Sequence, residues 1–118
     1  MKYAFLFSGI IELLGAVVIY FYPEWMFEVD VTGVSKLYGM AVFALGLVNV
    51  FAYQDYHKNA FIKKIFLLMM GYHAALSMIC FGMHSAIISL KMGAMLTHLL
   101  CFVVFFITYM KDLGPDKA

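Results

Sequence analysis

Four polar side chains interrupt the long apolar segments of this 118-residue sequence and could do chemistry there: Glu12, Asn49, His73 and His98. An acidic side chain inside a membrane span costs about 2.5–3.5 kcal/mol on insertion scales, so it is by default a functional residue. Histidine changes its charge near neutral pH, and chains of such groups relay protons in membrane pumps. We therefore expect Glu12, His73 and His98, supported by Asn49, to bind a small hydrophobic ligand or to relay protons.

Other interpretations of the same residues stay open. Two histidines and one carboxylate can hold non-haem iron(II) or another divalent ion, which would make Glu12, His73 and His98 metal ligands. His73 and His98 could also be the two axial ligands of a haem. The sequence contains no HxxxH, ExxH or CxxCH motif that would select a metal or a haem. The chain could equally be a structural subunit or an assembly partner of another membrane protein, with its polar residues serving only to join helices.

The composition indicates an integral membrane protein. Hydrophobic residues make up 65% of the chain and charged residues 13%, whereas a soluble domain has about 45–50% and about 25%. A chain of this size cannot hide so much apolar surface in a soluble core, so we expect membrane lipid to surround it. The net charge is +1 and there is no arginine among the eight basic residues, so nothing favours nucleic acid as a partner.

The chain has room for four membrane spans of about 20 residues each. Backbone polar groups find no water in hydrocarbon, so each span should be helical. The prediction is a single all-α domain over residues 1–118, an antiparallel four-helix transmembrane bundle with spans at 3–22, 36–53, 60–82 and 88–110. Pro23 should end the first span, and the residues from there to Ser35 should form an interfacial loop.

Lysine placement predicts the orientation of the bundle. With four spans, six of the eight lysines fall on the side of the two termini, and only Lys36 and Lys91 fall on the other. Cytoplasmic segments carry an excess of lysine and arginine, so both termini and the middle loop should be cytoplasmic.

Polar and small residues recur every three or four positions, which places them on one face of each helix. Such residues avoid lipid, so the four faces should meet inside the bundle. The four sets are Ser8, Glu12, Gly15 and Ile19; Ser35, Gly39, Val42, Gly46, Asn49 and Tyr53; His73, Ser77, Cys80 and His84; and Lys91, Ala94, His98, Cys101 and Thr108.

Depth along each span refines this expectation. At about 1.5 Å per residue, Glu12, His73 and His98 share a layer near the midplane, while Asn49 lies about a turn further toward the cytoplasm. Cys80 and Cys101 should differ in depth by about 10 Å and should not form a disulfide.

Small residues four positions apart predict close helix contacts, either within the chain or between copies in a homodimer. The three pairs are Ser35 with Gly39, Gly71 with Ala75, and Gly93 with Thr97.

Residues 7–16, followed by the Tyr-Pro-Glu sequence at 22–24, resemble the G-x-x-E-L-x-G helix-then-proline pattern of small DoxX-like four-helix membrane proteins. Residues 37–41 and 44–47 resemble short four-span proteins of bacteria. The resemblance implies four helices in a bacterial inner membrane. It also implies a link to quinone or redox physiology, with a quinone as the hydrophobic ligand, and it assigns no catalytic residue.

Overall fold

The computed structural model describes residues 2–26, 32–56, 61–82 and 88–113. These residues form four long helices and one short helix, and no strand occurs among them. The prediction of an all-α four-helix bundle is confirmed. The helices are α1 (Lys2–Phe21), α2 (Pro23–Met26), α3 (Thr32–Gln54), α4 (Phe61–Gly82) and α5 (Ile88–Leu113).

The connection after α1 differs from the predicted loop. Pro23 ends α1 as expected, but it also opens the short helix α2, because its fixed φ suits the first position of a helix. The next long helix begins at Thr32, before the expected position 36. No proline separates these positions, and one glycine costs a helix only about 1 kcal/mol. Of the predicted loop at 54–59, Gln54 belongs to α3 and residues 55–56 form a turn, while residues 57–59 lie outside the described residues.

The outside of the bundle is apolar. All four long helices are long and apolar enough to cross a membrane. Large side chains such as Leu68 and Met78 are 66% and 77% exposed, which would be unfavourable in water and suits contact with hydrocarbon. The fold is therefore consistent with an integral membrane protein.

Helices α1 and α3 pack closely in antiparallel directions. A Cβ added at Gly46 would lie 2.8 Å from Leu13 Cγ, and one added at Gly39 would lie 3.2 Å from the Tyr20 backbone nitrogen. Residue numbers in these contacts rise along α1, from Leu13 to Tyr20, and fall along α3, from Gly46 to Gly39. The two helices therefore run in opposite directions. Glycine is needed at both positions because a larger residue would push the two backbones apart.

Helices α4 and α5 form the second antiparallel pair. The Phe66 and Phe105 rings lie 4.8 Å apart, and Ser77 Oγ donates a hydrogen bond to Met95 O at 3.3 Å. The Phe5 ring of α1 meets the rings of both phenylalanines edge-on. One aromatic cluster therefore joins α1 to the α4–α5 pair.

The predicted polar and small faces point into the bundle. On α1, α3 and α4 their members are mostly buried, and on α5 they are half-buried or buried. His84 lies outside the described residues. Cys80 and Cys101 are both free cysteines, as expected.

Among the described residues, one of the predicted small-residue pairs makes a close contact with another helix. Ser35 and Gly39 are both buried, and Gly39 packs against the Tyr20 backbone of α1. A Cβ added at Gly71 or Gly93 would meet nothing within 4 Å. Contact between copies through these two positions stays a prediction.

The tight approach of α3 to α1 predicts a stability effect. Gly46→Ala should lower the free energy of unfolding in detergent by about 1–3 kcal/mol, because the added methyl group overpacks the contact with Leu13. Gly71→Ala is the matched control, since its Cβ would enter open space, and it should be neutral or slightly stabilising. Unfolding in a denaturing detergent, followed by circular dichroism, measures both. Equal losses in the two variants would contradict the described contact.

Candidate functional site

Glu12, His73 and His98 meet inside the bundle, each supplied by a different helix. The two histidine Nδ1 atoms lie 2.9 Å apart. Glu12 Oε1 lies 3.7 Å from Nδ1 of His73 and 3.9 Å from Nδ1 of His98. The prediction that these three side chains share one layer is confirmed, and we call them the triad.

Two further side chains fix the orientation of the triad. Ser8 Oγ lies 2.7 Å from Nε2 of His73, within hydrogen-bond distance. Tyr72 OH donates a hydrogen bond to Glu12 Oε2 at 3.1 Å. No described residue lies within hydrogen-bond distance of the other carboxyl oxygen, Glu12 Oε1. The triad therefore holds one buried acceptor atom without a hydrogen bond.

The triad is closed on one side and accessible on another. Glu12 and His73 are 1% and 0% exposed, whereas the His98 side chain is 15% exposed. The Phe105 ring lies 5.8 Å from the His73 ring and, with Phe5 and Phe66, closes the end nearest the N-terminus of α1. Access to the triad is consequently from the α5 side.

A groove of about 360 Å³ leads to this accessible side. It lies mainly between α1 and α5, and α2 contributes Met26 to its far end. Most of its wall is apolar, and the absence of side chains at Gly15 and Gly93 leaves it wide. Its polar groups include Glu12 and His98. Residues Tyr38, Tyr72, Ser89 and Thr97 also line it.

Asn49 is buried but does not join the triad by a hydrogen bond. Its Nδ2 donates to Leu45 O at 3.0 Å and to Met69 Sδ at 3.7 Å. Asn49 also lies where α3 packs closely against α1, since a Cβ added at Gly9 would lie 3.3 Å from Asn49 Cβ. In the structure Asn49 joins α3 to α4, and its supporting role at the site stays a prediction.

The sequence reasoning did not assign Tyr72 and Ser8 to the site. Ser8 carried a signal, because it lies one helical turn before Glu12 on the same face. Tyr72 lies one position before His73, so helical spacing alone places it about 100° away from the histidine. Its hydroxyl reaches the carboxylate because the ring is long, which residue spacing does not reveal.

The distances distinguish the two cofactor alternatives. Two nitrogens bound at about 2 Å on opposite sides of a haem iron would lie about 4 Å apart. The Nδ1 atoms of His73 and His98 are 2.9 Å apart, which is too close for that arrangement. The Nδ1 pair therefore suits a small ion, and a haem would have to be bound through Nε2 instead, an atom that in His73 lies 2.7 Å from Ser8 Oγ.

Fold and site together define a small helical bundle of membrane-protein composition with a buried Glu–His–His triad beside an apolar groove. No family model, curated protein or solved structure matches the chain. The DoxX-like resemblance and its implications accordingly stay predictions.

Proposed function

We propose that this chain is a four-span membrane protein that binds a small hydrophobic molecule with a compact polar head, such as a quinone, in the groove beside the triad. The observation that carries the proposal is the position of Glu12, Tyr72 and His98 at the inner end of a mostly apolar groove. Small-molecule sites typically combine apolar walls with a few polar groups that fix the orientation of the ligand.

The groove suits an amphiphilic ligand in particular. Leu14, one of its wall residues, is 64% exposed on the outer surface of the bundle, so a hydrophobic tail could extend from the groove into lipid. The carbonyl oxygens of a quinone head accept hydrogen bonds, and a hydroxyl or a ring N–H can donate them. Tyr72 and His98 carry such groups.

The structure offers less support for a proton relay. A relay needs titratable groups that continue from the triad toward both faces of the membrane. On the side of the α1 N-terminus, the next layer of described residues is the cluster of Phe5, Phe66 and Phe105, all fully buried. These rings carry no proton-accepting group, so ligand binding is the function that the geometry favours.

The lysines support an orientation for this protein. Lys2 begins α1 and Lys111 lies in the last turn of α5, at the end of the bundle where Lys63 and Lys64 lie in the first turn of α4. An excess of positive charge marks the cytoplasmic end. That both termini face the cytoplasm, and that the membrane is a bacterial inner membrane, stay predictions.

A larger side chain in the groove should weaken binding of the hydrophobic ligand. Gly93→Leu places a side chain in the groove without displacing another element, because a Cβ at Gly93 meets nothing within 4 Å. With decylubiquinone as the probe and native mass spectrometry as the measurement, we expect the affinity to fall at least about tenfold, equivalent to about 1.4 kcal/mol.

Gly71→Leu is the matched control for this experiment. Gly71 is exposed on α4, its added side chain also meets open space, and it does not line the groove. We expect it to bind the quinone as the unmodified protein does. Equal binding by both variants, or no binding by the unmodified protein, would contradict a quinone site in this groove.

A further inference from the structure

The donor atoms of the triad surround a common point. Nδ1 of His73, Nδ1 of His98 and Oε1 of Glu12 form a triangle with edges of 2.9, 3.7 and 3.9 Å. A point equidistant from the three atoms lies about 2.1 Å from each, and zinc binds histidine nitrogen and carboxylate oxygen at about 2.0–2.2 Å. The triangle thus has the size of a metal coordination face.

Hydrogen bonds among the described residues leave one atom of this arrangement, Glu12 Oε1, without a partner. If one histidine Nδ1 carries a proton and donates it to the other, Glu12 Oε1 still has no partner among the described residues. The distances from Oε1 to the two nitrogens exceed those of hydrogen bonds. A buried acceptor is costly without a partner, whereas a cation between the three atoms would satisfy all of them.

Two neighbours of the triad are placed as the outer hydrogen-bond partners of metal ligands usually are. A metal-bound histidine normally donates its other ring N–H to a neighbouring oxygen, and a metal-bound carboxylate is hydrogen-bonded as well. When Nδ1 of His73 binds an ion, its Nε2–H can donate to Ser8 Oγ, 2.7 Å away. Tyr72 OH already donates to the second oxygen of Glu12. His73 and Glu12 therefore each have a hydrogen-bond partner of the kind that metal ligands normally have.

We propose that Glu12, His73 and His98 bind one divalent first-row transition ion, such as Zn²⁺ or Fe²⁺. Two imidazoles and a carboxylate match the preferences of these ions. Three protein ligands leave at least one coordination position open, which is typical of catalytic rather than structural zinc sites. Glu12 and His98 also line the groove, so the open position is on the side where a bound molecule would arrive.

The test uses the full-length protein in detergent, purified with a tag that contains no histidine and stripped of metal with a chelator. Co²⁺ is added as the probe, since its visible absorption reports coordination by nitrogen and oxygen, and elemental analysis then counts Zn²⁺ after exchange. We expect one ion per chain. Absence of stoichiometric binding to the unmodified protein would overturn the proposal.

Variants then locate the ion. His73→Gln and Glu12→Gln should each weaken binding by more than about 100-fold, and Ser8→Ala by about 10–100-fold, the range found for outer partners of metal ligands. Ser77→Ala is the matched control, because Ser77 is a buried polar residue one turn further along α4 and bonds to Met95 O. It should bind as the unmodified protein does. Unchanged binding in Ser8→Ala and Glu12→Gln would overturn the site even if His73→Gln failed to fold.

This proposal goes beyond ligand binding in the groove, and the two can fail separately. Gly93→Leu should lose the quinone and keep the metal, because Gly93 lies in the groove and contributes no ligand. His73→Gln should lose the metal, and His73 does not line the groove. Metal binding measured without any quinone therefore tests the triad alone.

Discussion

Phe66→Ala should lower the free energy of unfolding by about 3–5 kcal/mol, the range for truncating a buried aromatic side chain. Phe66 is fully buried. Its ring lies 5.6 Å from the Phe5 ring and 4.8 Å from the Phe105 ring. The substitution removes packing that joins α1 to α4 and α5, and the rigid neighbouring helices cannot collapse into the cavity. Unfolding in a denaturing detergent, followed by circular dichroism, measures the loss.

Phe106→Ala provides the control on the outside of the bundle. Phe106 is next to Phe105 in sequence, but its side chain is 46% exposed. Truncation of an apolar side chain that is already exposed on the outside of the bundle loses little burial, so we expect an effect below about 1 kcal/mol. Equal destabilisation by the two substitutions would show that the aromatic cluster does not hold the bundle together.

The convergence of the triad could be predicted from sequence because membrane spans restrict where a residue can lie. A helix that crosses a layer of known thickness fixes the depth of each residue to within about a turn. Polar side chains avoid lipid, which fixes the direction in which each face points. Depth and direction together were sufficient to bring Glu12, His73 and His98 into one layer.

The contacts of Asn49 show what residue spacing does not determine. Asn49 has the expected burial, and it lies on the expected face of α3. Its amide donates to the carbonyl of its own helix one turn earlier, at Leu45, and to Met69 on α4. Residue spacing gives the face of a helix, but the neighbour that a side chain meets depends on the rotation and distance of the adjacent helices.

Tyr72 was missed for the same physical reason. Its ring extends beyond its own position on the helix, and its hydroxyl reaches Glu12 from a neighbouring face. The start of α3 at Thr32 lies four residues before the predicted start of the span at residue 36. Helix ends outside hydrocarbon depend on local backbone preferences, which apolar periodicity does not report.

The triad lies at the junction between two pairs of helices. Helix α1 packs closely along α3, and α4 packs closely along α5, while α1 approaches α4 and α5 over a shorter stretch. Glu12 belongs to the first pair and both histidines belong to the second. An ion bound by the triad would therefore join two pairs of helices that also meet through the aromatic cluster and the Ser8–His73, Tyr72–Glu12 and Asn49–Met69 contacts.

This position predicts a large stabilisation by metal. An ion that binds only the folded state at 100 times its dissociation constant raises the free energy of unfolding by about 2.7 kcal/mol. We expect that increase when Zn²⁺ is added to the metal-free protein in detergent, and its loss when a chelator is added. Thermal or detergent unfolding with and without Zn²⁺ measures it.

His73→Gln and Gly93→Leu separate the triad from other sources of stabilisation. His73→Gln removes one ligand, so Zn²⁺ should no longer stabilise the protein. Gly93→Leu fills the groove and leaves the ligands in place, so the full increase should remain. If Zn²⁺ stabilised His73→Gln as much as the unmodified protein, the ion would bind elsewhere on the chain. The junction between the two helix pairs would then depend on side-chain packing and hydrogen bonds without an ion.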